Sequence, residues 1–308
     1  MSERSDTFKI DDAASYDNLA GHFDHFTEQA TQHLPPQMAS LANLQPWHQV
    51  LDVGAGTGVV TLCIASKLDE RGRVTGVDLA ERMLRVASNK ASDRGLTSRV
   101  NLTVMDAERL QLADESFDAV FSLYALRHFP DPQTAVNKMY RVLKPGGRVV
   151  VALGSRPPLL SRHGIAAIGR RVWGTVRQKT GMQLEACRFQ DGLVREHMPA
   201  KKSDEAAAWT AHKQEFTGSA KNLLKKAGFL QITSRWSGQQ TVIETPEDFW
   251  NLQMTFSSFS RKRLARASRS EVDALKSEFL KRSKQVLDRN GQLIYPTGAA
   301  IVAGTKTH

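Results

Sequence analysis

Asp52, Gly54, Gly56 and Gly58 stand at alternate positions where the apolar run Val50-Leu51-Asp52-Val53 ends. The run reads as a buried strand and the glycines as a tight turn. Glycine serves where backbone must take a positive φ, or must approach a ligand more closely than a Cβ allows. Val59 to Leu68 holds no proline or glycine and spaces its apolar residues helically, so the turn is expected to open a helix. A nucleotide-like ligand is expected on that turn. A dinucleotide fingerprint requires its third glycine three residues after the second, and Val59 stands there instead. A phosphate-cradling loop would continue Gly-Lys-Ser/Thr, which is absent. A carboxylate at the lip, Asp52, is poorly suited to pyrophosphate and well suited to an ammonium group.

S-adenosylmethionine (SAM) carries an α-amino group and a sulfonium and has no phosphate. The pattern Asp-x-Gly-x-Gly-x-Gly resembles motif I of the class I SAM-dependent methyltransferases. Downstream residues fit a nucleoside in the same place. Val74 to Asp78 reads as a second strand ending in an acid, twenty residues past Gly58. An α/β nucleotide fold places a carboxylate there against ribose hydroxyls. A helix opens just after it, with Leu79 at the strand end and Met83 expected beside the adenine ring. Val100 to Val104 is a third strand, and Asp106-Ala107 at its exit resembles the family's adenine-recognition pair. Asp106 would accept from the 6-amino group and the Ala107 backbone would serve the ring nitrogen; a helix or turn cap is the plainer reading of Asp106. Tyr16 and Phe23 lie in a segment resembling the family's N-terminal lid, or simply pack that segment down.

Phe117 to Phe129 reads as the fourth strand and its exposed carboxyl end, which puts Ser122 to His128 where donor and acceptor must meet. Met139 to Gly147 matches the corresponding stretch of the UbiE-type methyltransferases, and Ala-Leu-Arg-His resembles that family's Gly-Leu-Arg-Asn. The resemblance covers roughly residues 45 to 153 and implies a Rossmann-like α/β fold with a seven-stranded sheet, SAM as cofactor, and a small-molecule acceptor.

Methyl transfer from SAM is an in-line displacement. The protein has to align donor and acceptor, exclude water, and take a proton when the acceptor is an OH or NH. Alignment falls to Asp52, Gly54, Ala55, Gly56, Gly58, Asp78, Asp106 and Ser122. Imidazole titrates near neutrality, so His128 is the candidate base, or else a surface histidine. Tyr124 would orient the acceptor, sit beside the sulfonium, or only pack. His163 and Glu185 are further candidate bases. Phe23, Arg127, Arg156, Arg162 and Trp173 are the residues expected nearest the acceptor.

The chain has 308 residues, 41% hydrophobic and 24% charged, ordinary for a soluble globular protein. No apolar run is long enough for a membrane span and no signal peptide is read, so a cytoplasmic enzyme is expected. Two cysteines, Cys63 and Cys187, give neither a disulfide framework nor a metal-ligand spacing, and no metal site is expected. The net charge of +10 concentrates in Arg156 to Lys179 and in Arg261 to Lys284. These segments read as solvated faces, as attraction to an anionic substrate such as an allylic diphosphate held by Arg156, Arg162, Arg170 and Arg171, or as cover for a membrane surface or dimer interface. Nucleic acid is not expected, because few aromatics interleave the basic residues.

Residues 1 to about 12 read as disordered, and Tyr16 to Leu34 as one or two short helices stopped by Pro35-Pro36. The domain reading is an N-terminal helical lid (1–44), a SAM-binding core (45–153), a helical insertion (154–216), and a C-terminal part of the sheet (217–308) interrupted by a second helical insertion (245–290). Trp and Phe residues in the insertions (Trp173, Phe189, Trp209, Phe216, Phe249, Trp250, Phe256, Phe259) suggest an apolar acceptor pocket or an ordinary helical core. The function expected is C- or O-methylation of a quinol-like, isoprenoid or natural-product acceptor. The alternative is a protein that binds SAM without transferring its methyl, using it in a rearrangement or decarboxylation or as a scaffold. A nicotinamide dehydrogenase is disfavoured by Gly58 and Val59.

Overall fold

The computed structural model describes residues 3–17, 20–155, 157, 182–198 and 219–307. The chain divides into two compact units. The first comprises 1–155, 210–237 and 299–308, and the second comprises 156–209 and 238–298. The two insertions expected to form a cap thus make up a unit of their own.

The first unit is a sheet between helices. It opens with α1 (Glu3–Asp17), α2 (Ala20–Thr31) and α3 (Leu34–Leu41). There follow β1 (Gln49–Val53), α4 (Val59–Ala65), β2 (Arg73–Asp78), α5 (Glu81–Asp93), β3 (Val100–Val104), β4 (Phe117–Leu123), α6 (Pro132–Val142) and β5 (Leu143–Gly154). Strand order runs β3-β2-β1-β4-β5, all parallel. The chain steps outward on one side of β1 and then returns to its other side with β4. That reversal leaves a crevice at the carboxyl ends of β1 and β4, where open α/β sheets bind ligands.

Alternation along each strand sends side chains to opposite faces. Leu51, Val53, Val120, Val149 and Val151 join Met139 of α6 on one face, while Val50, Ala119, Phe121 and Val150 join Met38 of α3 and Leu62 of α4 on the other. Burial on both faces explains why these strands read as continuous apolar runs. Each large side chain fully buried here, such as Phe121 or Leu51, contributes roughly 1.5–3 kcal/mol.

The expected disorder of residues 1 to about 12 is corrected over its described part: residues 3–12 belong to α1. That helix has almost no apolar stripe, and charged contacts to the sheet unit hold it instead. Asp6 meets Arg109, Lys9 meets Asp106 and Glu108, and Asp17 accepts from the backbone N–H of Arg82 at the open end of α5. α2 adds Asp24–Lys90 and Glu28–Arg94. Pro35-Pro36 does not stop a helix but lies in the first turn of α3, where a missing N–H costs nothing.

α6 is capped by Asp131, whose side chain accepts from the N–H of Thr134. α8 (Ala220–Lys226) ends as its sequence requires: Gly228 takes a φ of +98°, and Phe229 N–H bonds to Leu224 O. β7 (Leu230–Ile243) and β8 (Gln292–Thr305) are longer than their apolar patterns suggest, because each continues from one unit into the other. In the first unit, residues 299–305 of β8 pair antiparallel with β5, and β7 pairs with β8.

In the second unit β6 (Gln183–Glu185) pairs parallel with residues 292–294. Its helices among the described residues are α7 (Ala186–His197), α9 (Pro246–Phe256), α10 (Ser258–Leu264) and α11 (Arg269–Leu287). Thr245 caps α9, and a complete capping box of Ser268 and Glu271 starts α11. Phe249 and Phe279 are fully buried, with Phe189, Trp250 and each other ring to ring at 4.9–5.4 Å from Phe279. These aromatics form the core of the unit. Trp173, Trp209 and Phe216 lie outside the described residues, as do Arg156, Arg162, His163, Arg170 and Arg171; the side chains of Cys187 and Phe259 do too. Among the described residues no helix is long and apolar enough to cross a membrane.

Candidate active site

The glycine turn fits between β1 and β2 by backbone alone. The N–H groups of Gly54 and Ala55 both reach Val77 O, at 2.8 and 3.0 Å. Gly54, Gly56 and Gly58 all take positive φ. A Cβ on Gly54 would come within 2.2 Å of Ala125 Cβ, so the exit of β4 rests directly on the turn. A Cβ on Gly56 would meet nothing within 4 Å. One glycine is therefore required by packing, and the other borders open space of the kind a ligand fills.

Asp78 closes the other wall. One carboxylate oxygen accepts from Gly56 N–H and the other from Ala80 N–H, both at 2.9 Å. Burial raises its pKa above the usual carboxylate range, opposed by those same N–H groups. Each oxygen keeps a lone pair for a further donor, as two ribose hydroxyls would require. Leu79, beside it, and Val104, at the end of β3, are exposed apolar side chains.

Asp52 is buried behind the turn. Its Oδ2 accepts from Thr61 Oγ1 at 2.6 Å, while its Oδ1 is buried without a partner. Burial pushes its pKa up to about 7, the Thr61 bonds pull it down, and the Asp78 carboxylate adds to the rise. Thr61 was not singled out from sequence; a threonine one turn into the helix after Gly58 is the signal that marks it. An unpaired buried carboxylate oxygen beside an open glycine turn fits a cationic amine, which would restore the charge that burial suppresses. The residues present thus suit the amino-acid end of SAM.

Asp106 caps the short helix Ala107–Arg109 by accepting from Glu108 N–H, so the plainer reading of it is realised in the structure. Its second oxygen takes an ion pair from Lys9 at 2.8 Å, and Lys9 also meets Glu108, again at 2.8 Å. Burial works against the charge on Lys9, yet the two carboxylates more than offset it and raise its pKa. Ala107 is buried. Met83 is buried among Ala20, Ala80, Tyr16 and Phe23, which brings three residues selected from sequence into one cluster beneath the N-terminal helices. Ser122 donates to Val53 O at 2.9 Å, fastening β4 to the end of β1.

The exit of β4 carries the remaining polar groups. Tyr124 adopts a φ of +59°, a left-handed conformation that costs a residue of this kind about 1–3 kcal/mol. Burial pushes its phenol up to about 12, so it stays neutral and can donate or orient. The side chains of Tyr124 and Arg127 both stand near Gly154, each under 4 Å from where a Cβ would be. His128 is gripped by α1: Nδ1 lies 3.1 Å from Asp12 Oδ2, and Nε2 lies 3.4 Å from the Tyr16 hydroxyl. Asp12 and Lys9 escaped the sequence reading, although Lys9, Asp12 and Tyr16 share one face of a helix. Glu185, the other described candidate base, belongs to the second unit and lies 3.7 Å from Arg188. Among the described residues no group of His, Cys, Asp and Glu could hold a metal ion.

Comparison with known proteins agrees with this geometry. The methyltransferase-domain family matches residues 51–151. The chain is 30% identical over 191 residues to the ubiquinone/menaquinone biosynthesis C-methyltransferase UbiE of Shewanella woodyi, covering 62% of this chain and 70% of the relative. To the enzyme of the same description from Hydrogenovibrio crunogenus it is 31% identical over 153 residues, which is 48% of this chain and 60% of the relative. The fold matches that of a Bacillus halodurans crystal structure described as a candidate methyltransferase, with a TM-score of 0.51 and 20% identity, over 90% of this chain and all of the other. The glycine turn, the two strand-end carboxylates and these relatives place the chain in the class I SAM-dependent methyltransferases, in the UbiE-like branch, with SAM as its cofactor.

Proposed function

We propose that this protein methylates a small apolar or aromatic acceptor carrying a hydroxyl or an activated carbon, with the acceptor held at the exit of β4. The observation that carries this reading is the contact of Ala125 with Gly54, which sets Tyr124, Arg127 and His128 beside the glycine turn. SAM supplies an electrophilic methyl on a positively charged sulfur. Asp52 holds the amino end of the cofactor, Asp78 its ribose, and Asp106 its adenine. His128 takes the proton that the acceptor loses, through Nε2. Tyr124, neutral throughout the physiological range, orients the acceptor, and Arg127 pairs with an anionic or carbonyl group on it. Tyr16 and Phe23 close the site from the N-terminal side and keep water out. A quinol-like ring is the acceptor class we favour, in keeping with the named activity of the relatives.

The test is transfer of radiolabelled methyl from SAM to a panel of hydroquinones, phenols and prenylated phenols, with S-adenosylhomocysteine measured in the same samples. Label in the organic extract with matching S-adenosylhomocysteine supports the reading. Tight SAM binding with no S-adenosylhomocysteine across the panel would favour a protein that uses SAM without transferring its methyl.

A further inference from the structure

We propose that Asp12 of α1 is a positioning residue: it fixes the tautomer and orientation of His128, so that Nε2 is the nitrogen that carries the lone pair and can take a proton. The inference rests on the reading of His128 as the base.

A carboxylate without its proton can only accept hydrogen bonds. The 3.1 Å contact between Asp12 Oδ2 and His128 Nδ1 therefore requires the hydrogen to sit on Nδ1. A neutral imidazole has one N–H, so Nε2 is left with a lone pair. That lone pair faces the Tyr16 hydroxyl at 3.4 Å, a donor that matches it. The Asp12 side chain is only 9% exposed and that of His128 is 39% exposed, so the carboxylate end of the bond is sheltered while the imidazole keeps an open side. The rings of Tyr16 and His128 meet edge to face at 5.3 Å, which limits rotation of the imidazole about its other axis.

The placement follows from the helix. Asp12 and Tyr16 are one turn apart on α1 and so project from the same face, with Lys9 nearly one turn further back. Lys9 anchors that face by its ion pairs to Asp106 and Glu108, and Asp17 anchors it by capping α5. Among the described residues the charged and titratable groups around His128 are thus Asp12 and Tyr16 on α1, Asp78 at the end of β2, which would interact with the imidazole once it is protonated, and Arg127 beside it in sequence. Of these, Asp12 alone contacts Nδ1 in the described structure. The arrangement makes the base depend on the lid: the orienting carboxylate arrives only when α1 is docked.

The test is nitrogen NMR of the intact protein labelled at histidine, with the His128 signals assigned by their loss in His128→Gln. In the wild type above neutral pH, His128 should show a pyrrole-type Nδ1 and a pyridine-type Nε2. Asp12→Ala should convert this to the averaged pattern of a mixed tautomer, and Asp12→Glu should restore the wild-type pattern. Thermal melts of the same samples report whether each variant folds, and the Asp12→Glu comparison holds even where Asp12→Ala folds poorly. A wild-type His128 with its hydrogen on Nε2, or an unchanged pattern in Asp12→Ala, would overturn the proposal. Failure of the protein to bind SAM would sink the proposed function and leave the tautomer result standing, so the two failures are told apart.

Discussion

Alanine at Gly54 and at Gly56 should have different consequences, although the residues are two apart and both take positive φ. The left-handed conformation costs an L-residue about 1–2 kcal/mol at either place. At Gly56 that is nearly the whole cost to the fold, because the added methyl meets no atom within 4 Å. At Gly54 the methyl would land 2.2 Å from Ala125 Cβ, against an ordinary carbon contact of about 3.5–4.0 Å. The segment from Ala125 to His128 would have to retreat by more than an ångström, adding roughly 1–3 kcal/mol or more of overpacking. Melting temperatures should therefore fall by a few degrees in Gly56→Ala and by about twice that or more in Gly54→Ala. Cofactor binding should rank differently. The Gly56 methyl stands in the space the ligand needs, and a clash of about 1.4–2.8 kcal/mol weakens binding by roughly ten- to a hundredfold. Differential scanning fluorimetry and calorimetric titration with SAM and S-adenosylhomocysteine give both quantities on the same samples. If Gly56→Ala bound SAM as tightly as the wild type, the open space beside Gly56 would not be the cofactor site.

Two further outcomes follow from the buried charges. Asp52 has a folded pKa near 7, raised above its unfolded value, so it contributes stability at low pH that is lost as pH rises through about 7. Asp52→Asn should therefore gain stability over the wild type as pH goes from 5 to 8, measured by thermal melts without ligand. SAM affinity should move the other way in the wild type, strengthening from pH 6 to 8 as Asp52 ionises to meet the ammonium group, and should be flatter in Asp52→Asn; equal pH dependence in the two would refute the pairing. Lys9→Met should cost about 3–5 kcal/mol, because it leaves the buried Glu108 and the Asp106 carboxylate facing each other without their cation. A Lys9→Met/Glu108→Gln double variant should recover part of that loss in melting temperature, and no recovery would mean that the ion pairs are not what docks α1.

The parts of this protein legible in its sequence are those fixed by local rules. The apolar run into alternate glycines, the acids at the ends of β2 and β3, the Gly228 helix stop and the Ser268 capping box each need only a few neighbouring residues to be read. The N-terminal helix was illegible for the opposite reason. Its anchoring residues Asp6, Lys9, Asp12 and Asp17 bind partners 65 to 116 residues away, and a charged stripe without apolar periodicity resembles disorder until those partners are known. Pro35-Pro36 misled because proline is a breaker inside a helix and a starter at its first turn. Ser122 was placed correctly at the end of β4, but which way its hydroxyl turns depends on Val53, one strand away in the sheet and 69 residues away in sequence.

The antiparallel pairing of β8 with β5 carries a consequence for how the chain is made. Residues 149–153 of β5 emerge from the ribosome about 150 residues before the strand that covers their edge. At a synthesis rate of about 5–20 residues per second, that interval is about 7 to 30 seconds. Throughout it, Val149, Val150 and Val151 present an unpaired, hydrophobic strand edge, the kind that recruits other nascent chains. An edge left open for that long has to be shielded while the rest of the chain is made, so soluble yield is expected to rise when chaperones are supplied during expression.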